Sequence, residues 1–490
     1  MNIRPALRLF TAFFCSCSLL SAQGPEHFTA EQLHSDFDLL VNSLKEAHTG
    51  LYRYTSPAQF DSVVQAQKAQ LREGMNTLEF YRVAAPVVAW TREDHCDIHL
   101  SAGASVYLRT EGRFLPLPVL ICSDSLFILT DAPEQSGLRG KQLLALNGQP
   151  LTEIFARIFN TFAADGYIQS SKERYLDHFG FAREYARVLG WTGTFELQLR
   201  DPLSGTTYTE RVASVSLEKL REISSGLHIP GQEGDPLPAH VHFEADETAR
   251  LVINTFSNSE YREAKMNFRQ FVKRSFRDIR KNGSRNLIID IRNNGGGSEG
   301  NEDYLFSFLT DKPYTKYKFV ELSAFSFSFY PYTDYSEKRD RKQLERWLRQ
   351  EHYRAADGRL LRKPGVEKPA PLQKEPFRGN IYILAGGWTY SGAAEFSSLM
   401  RAHTNAVFIG EETGGTYCGN TSGYSLELSL PNTGLWIDIP ILRFEMNVNG
   451  GACDRGVLPD HAAMPSVQQY LQGYDAALEK ARALIRGTKE

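Results

Sequence analysis

Thr389-Tyr390-Ser391-Gly392-Ala393-Ala394-Glu395 follows an apolar run, Ile381-Tyr382-Ile383-Leu384-Ala385, that ends in Gly386-Gly387. A helix-like pattern begins within it and runs over 393–402. A buried strand, a glycine break and a serine at the mouth of a helix make a place where chemistry can sit. The helix start offers backbone N–H groups without intrahelical partners and a partial positive charge. A serine oxygen there can attack a carbonyl while those N–H groups hold the charge that forms. Taken alone, the same residues read more readily as an ordinary cap, with serine before the helix and Glu395 acidic in its first turn.

Working outward, the chain from about 246 to 490 alternates apolar strands and helices. Leu251-Val252-Ile253-Asn254 reads as a strand, 261–281 as a helix, and Asn286-Leu287-Ile288-Ile289-Asp290-Ile291 as a second buried strand. Continuous apolar strands between helices imply a sheet covered on both faces. The second strand runs into Arg292-Asn293-Asn294-Gly295-Gly296-Gly297, where backbone can approach a ligand closely and present bare N–H groups. No Lys-Ser/Thr pair follows, so a phosphate loop is excluded. Residues 325–375 read as a polar insertion with a charged helix over 337–350. A hairpin is expected from 424–430 and 435–441, and one terminal helix over 467–485.

Upstream, residues 26–104 read as a helical subdomain. His48 falls where its first helix ends and reads as a cap or a structural hydrogen bond. Glu93-Asp94-His95-Cys96-Asp97-Ile98-His99-Leu100 leaves the third helix and enters a strand. An imidazole beside carboxylates can serve as a general base. Alternation along a strand would also put His95, Asp97 and His99 on one face as metal ligands, but no second cluster completes such a site. Residues 105–222 turn to short strands around a helical insertion over 151–189, a β module that resembles a PDZ domain. Such modules add a peptide as an extra strand along an open edge. Residues 223–245, rich in Gly, Pro and charge, read as a linker.

The formal net charge of -3 implies no polyanion partner, so nucleic acid is not expected. Arg4, Arg8, an apolar core over 9–20 and Ser21-Ala22 read as a signal peptide over 1–22, cut before Gln23. The run is too short to span a bilayer comfortably. An exported protein, periplasmic or extracellular, without stable membrane insertion is expected. Of 6 cysteines, Cys15 and Cys17 lie in that segment. Cys96, Cys122, Cys418 and Cys453 remain, and the glycine-rich settings of Cys418 and Cys453 favour that pair.

Three separated stretches together resemble the tail-specific, or C-terminal processing, serine protease family that includes the tricorn core protease. They are Asp290 to Gly297, Thr389 to Glu395, and Gly410-Glu411-Glu412-Thr413-Gly414-Gly415; Gly456-Val457-Leu458-Pro459-Asp460 matches a fourth feature. The resemblance implies a multidomain α+β chain: a helical start, a PDZ-like middle and a crotonase-like α/β catalytic domain. It places Ser391 as nucleophile, with Gly296 and the Gly392 N–H forming the oxyanion hole. The lysine-using branch carries its lysine after the Thr-x-Gly turn, where Thr416 stands here. The tricorn-like branch takes a histidine from the helical subdomain, which implies His95, with His99 second. Asp454 is the nearest acid to the position of that branch's orienting carboxylate. The expected activity is peptide hydrolysis on peptides or protein C-terminal tails, without metal or cofactor. The alternative is a non-catalytic carrier of peptide or apolar ligand, as in the interphotoreceptor retinoid-binding protein of the same family.

Overall fold

The computed structural model describes residues 26–122, 124–227 and 237–487. The expected signal peptide lies outside them.

Three helices open the described chain: Ala30–Ala47, Pro57–Lys68 and Thr77–Ala89. Each begins with a reciprocal cap, Thr29 with Gln32, Ser56 with Gln59 and Asn76 with Glu79. The helical subdomain does not stand apart. The wholly buried Asp36 on the first helix accepts hydrogen bonds from Thr433 N (2.8 Å) and Oγ1 (2.7 Å) and from Asn432 Nδ2 (2.8 Å). Those groups belong to the turn of the C-terminal hairpin, Ser425–Ser429 with Trp436–Pro440. Ile98–His99 then pairs antiparallel with the same hairpin, Ile98 against Ile437 and His99 against Trp436. Only those two residues are strand; 91–97 is a turn. The expected alternation of His95, Asp97 and His99 on one face therefore does not occur.

The middle of the chain forms an antiparallel sheet in the order Val119–Cys122, Ser125–Ile128, Gln142–Leu146, Thr194–Arg200, Thr207–Ala213. Its insertion is three helices, Leu151–Phe159, Ser170–Leu176 and Gly180–Leu189. A Ser101-capped helix, Ala102–Glu111, stands where short strands were expected to begin. The expected linker is also partly structured. Helix Leu217–Ser225 enters it, and Ala239–Glu244 is a strand, because Ala239-His240-Val241-His242-Phe243-Glu244 hairpins onto Thr248–Ile253 through Asp246 and Glu247 at positive φ.

The C-terminal sheet has six strands in the order His461–Ala462, Val407–Gly410, Asn380–Ala385, Asn286–Asp290, Thr248–Ile253, Ala239–Glu244. All neighbours are parallel except the last pair. Thr248–Ile253 and Asn286–Asp290 are buried at every position, as expected for a two-sided sheet. One face packs Ile288, Leu384 and Ile409 against the final helix, Ala476–Gly487. The other joins the main core with Leu287, Ile289, Ile383 and Phe396. The single expected terminal helix is two, Val467–Leu471 and Ala476–Gly487, separated at Gly473 with φ 75°. The 325–375 insertion holds its charged helix, Lys338–Glu351, and adds two short strands to a sheet with Tyr317–Leu322 and Leu442–Met446.

A disulfide joins Cys418 to Cys453, while Cys96 and Cys122 are free. It ties two loops 35 residues apart in sequence. Removing it with a Cys418→Ala, Cys453→Ala double variant is expected to lower unfolding free energy by about 2–4 kcal/mol, read from urea midpoints.

Candidate active site

The site lies at the carboxyl ends of two adjacent parallel strands, Asn286–Asp290 and Asn380–Ala385, where open α/β sheets place their ligands. Two buried polar side chains fasten the loops that leave them. Thr389 Oγ1 donates to Ile291 O (2.9 Å) and accepts from Gly386 N (3.0 Å). Asn294 Nδ2 donates to Ile253 O (3.1 Å), and Tyr390 N donates to Asn294 O (3.0 Å). The third glycine stretch closes the arrangement, with Gly414 N donating to Thr389 O at 2.9 Å.

Held this way, Ser391 adopts φ 51° and ψ -124° directly before helix Gly392–His403. Positive φ in a side-chain-bearing residue costs on the order of 1–3 kcal/mol and persists only where its surroundings enforce it. It is the strand-to-helix elbow that lifts a serine hydroxyl clear of the backbone.

The structure brings His95 to this serine. Its Nε2 lies 3.3 Å from Ser391 Oγ, across 296 positions of sequence. The protein packed around the ring lowers its pKa to about 4, with the Glu395 charge acting weakly in the opposite sense. The imidazole is therefore neutral and able to accept a proton throughout the neutral range. Its other nitrogen, Nδ1, meets the hydroxyl of Tyr390 at 2.6 Å, and the two rings stack with centroids 4.8 Å apart.

Asp454 does not take the place expected for it beside the imidazole. Its backbone carbonyl receives Tyr167 N (2.9 Å), and Tyr390 holds the Nδ1 position. His99 is also elsewhere: it stacks on Trp436 at 3.7 Å and pairs with Asp438 at 3.2 Å. His48 caps its helix as expected, with its N–H on Leu44 O, and accepts Gly50 N at Nδ1.

Gly296 and Gly392 face each other. Gly392 N–H sits in the first helical turn, which supplies no intrahelical acceptor. Gly296 N–H, in contrast, is committed to Asn294 Oδ1 at 2.9 Å. The structure thus corrects the expected pair of donors. What Gly296 contributes is space: with φ 96°, a Cβ there would lie 2.7 Å from Ser391 Cβ and 2.8 Å from Gly392 N.

Three further groups of residues stand at the site beside the serine and the histidine. Tyr390 is one, hidden beside the serine. The second is an acidic set behind it, the buried Glu93 and Asp165 with the half-buried Asp94, whose N donates to Asp165 Oδ1 at 2.9 Å. Burial pushes Asp94 up to about 7 and Asp165 well above the carboxylate range. The third is Lys316, buried beneath the serine helix and paired with Glu302 and with Glu395 (2.8 Å), whose carboxylate also accepts from Tyr317 (2.8 Å). Tyr390, Glu93 and Asp94 adjoin Ser391 and His95 in sequence, whereas Asp165 and Lys316 arrive from distant segments that no spacing rule reaches.

A neutral imidazole against a strained serine hydroxyl, on a glycine-floored α/β scaffold, is the constellation of a serine-type hydrolase. Residues 247–463 match the sequence pattern of peptidase family S41. This domain belongs to that family of tail-specific proteases, and the chain is a serine-type peptidase acting on peptide or protein substrates. A search of curated proteins finds no match. Among solved structures, mature CPAF complexed with lactacystin is 17% identical, covering 94% of this chain and 98% of that one at a TM-score of 0.58. A CPAF mutant is 16% identical, covering 93% and 96% at 0.64. The photosystem II D1 C-terminal processing protease is 14% identical, covering 90% and 98% at 0.40. The two CPAF likenesses show a shared fold. Among the described residues, no helix is long and apolar enough to cross a membrane.

Gly296→Ala would fill the space in front of the Gly392 amide and force a side chain onto a positive φ. It is expected to cost about 1–3 kcal/mol of stability. It should also slow fluorophosphonate labelling by roughly 10²–10³, the loss typical of a spoiled oxyanion donor.

Proposed function

We propose that the chain is an exported serine endopeptidase that cleaves peptides or protein C-terminal tails, with Ser391 as nucleophile and His95 as base. The observation that carries this reading is the 3.3 Å contact between Ser391 Oγ and His95 Nε2. Ser391 Oγ attacks the scissile carbonyl carbon as its proton passes to Nε2. The carbonyl oxygen, now anionic, is held by Gly392 N–H in the space left by Gly296. Collapse breaks the C–N bond and returns the proton to the leaving amine. Water, deprotonated by the same imidazole, then hydrolyses the acyl ester. Every proton passes through His95, between Ser391, the leaving amine and water, and no step of this cycle calls on a metal or cofactor.

The PDZ-like reading of the middle sheet gives a way to hold substrate. The Val119–Cys122 edge is occupied by the insertion, through Val119 N on His178 O (2.9 Å) and Ile121 N on Asp177 (2.8 Å). An extended peptide end is therefore taken at the other edge, Thr207–Ala213. Export is supported by the charged start, apolar core and small-residue cut site of residues 1–22. A disulfide between Cys418 and Cys453 suits the same compartment.

Ser391→Ala should abolish fluorophosphonate labelling with an unchanged thermal midpoint. His95→Ala should slow labelling by about 10²–10⁴, the usual worth of a positioned base. Undiminished labelling of either variant would reject the assignment, and a wild type that does not label would favour a non-catalytic carrier of peptide or apolar ligand. N-terminal sequencing of the exported protein is expected to begin at Gln23; retention of residues 1–22 in a cytoplasmic product would contradict export.

A further inference from the structure

The imidazole of a hydrolytic base needs its lone pair on the nitrogen that faces the nucleophile, so the group on the far nitrogen decides whether it works. Here that group is a phenol. Tyr390 Oη lies 2.6 Å from His95 Nδ1, and stacking at 26° holds the two rings in register. A hydroxyl carries one proton and can point it either way. Donated to Nδ1, it would leave hydrogen on Nε2 and block proton uptake from Ser391. Donated away from the ring, it makes Oη the acceptor of Nδ1–H and leaves Nε2 bare.

What lies behind the phenol settles the direction. The carboxylates of Asp94 and Asp165 both act on the Tyr390 hydroxyl. Asp165 is fully buried, its Oδ1 is taken by Asp94 N (2.9 Å), and its Oδ2 has no hydrogen-bond partner at ordinary range. Above about pH 7 Asp94 is the ionised member of the pair, and an ionised carboxylate accepts only.

We propose that Tyr390 is a positioning residue, accepting Nδ1–H of His95 and giving its own proton to the Asp94–Asp165 pair, so that Nε2 faces Ser391 unprotonated. The proposal rests on the reading of Ser391 and His95 as nucleophile and base. In this chain a tyrosine with two acids behind it does what a single directly bonded carboxylate would do.

The arrangement has a pH signature. Burial, Asp97 and Glu93 raise Asp94 to about 7, against the pull of Lys172 and the Tyr390 hydrogen bond. Burial, Glu93 and Asp94 raise Asp165, against the Asp94 N–H and Arg53. Glu395 faces the imidazole from the serine helix. As pH falls through about 7 the pair gains a proton and stops accepting from Tyr390, although the imidazole itself stays neutral down to about 4. The acid limb of reactivity therefore belongs to the pair, well above the pKa of the histidine.

The test uses the full exported chain and a fluorophosphonate probe, reading kinact and KI against pH, with ¹⁵N shifts of His95 giving its tautomer. In the wild type, Nδ1 should carry the proton and the acid limb of kinact should fall near pH 7. Tyr390→Phe should lower kinact by roughly 10–10² with KI unchanged, and move that limb toward lower pH. Asp94→Asn places an N–H where the ionised acceptor stood, and should lower kinact by about 10² or more by reversing the chain. A wild-type His95 protonated on Nε2 overturns the proposal, whatever the activity. So does a Tyr390→Phe variant whose kinact and pH limb match a reactive wild type. Failure of the wild type to react at Ser391, with the Nδ1–H tautomer present, instead strikes the reading of Ser391 and His95 on which the proposal rests.

Discussion

The chemistry of this chain depends on docking its first helices onto its last hairpin. The serine and the imidazole enter from opposite ends of the sequence, and no local rule joins them. The join is made by Asp36, whose buried carboxylate receives the turn at Asn432 and Thr433, and by Ile98–His99, which adds a third strand to that hairpin. A buried carboxylate that lost those donors would carry its full desolvation penalty, so the contact is strongly selective for one docked arrangement. Between Asp36 and Ile98 the chain has little freedom, and the turn at 91–97 is delivered against the serine loop.

The serine loop illustrates a second constraint. A positive φ at Ser391 is unfavourable in isolation, and around it the structure concentrates interactions that allow no relaxed alternative. Thr389 and Asn294 fasten the two strand ends to each other. Lys316 neutralises part of the charge of Glu302 and Glu395 beneath the helix. The buried acids Glu93 and Asp165 share the partial compensation of Arg53, which bonds Glu93 at 3.4 Å, and Lys172 acts on Asp94. Groups so unfavourable for stability collect where function uses them.

Much of the scaffold was legible because it rests on local patterns. The apolar runs 286–290 and 380–385 announced two-sided strands, and the glycine stretches marked where backbone must approach backbone. The mistakes have local causes too. Ser101 caps a helix, Ala102–Glu111, at the edge of a segment whose pattern reads as strands. A short alternating strand, Ala239–Glu244, was masked by the Gly- and Pro-rich residues before it. Gly473 at positive φ broke what the periodicity joined into one helix.

Apart from His95, which only the family resemblance implied, the sequence by itself determined most of the elements, the α/β character of the C-terminal half and the serine at its elbow. These follow from periodicity, from glycine's freedom and from residues adjacent in the chain. Which group stands behind the imidazole was decided only by tertiary structure. Asp454 looked suitable by its place in the sequence, yet Tyr390, Asp94 and Asp165 converge there from three separate segments. Hydrogen bonds, charge and burial act through distances in space, and no spacing along the chain encodes a distance between segments that meet only after folding.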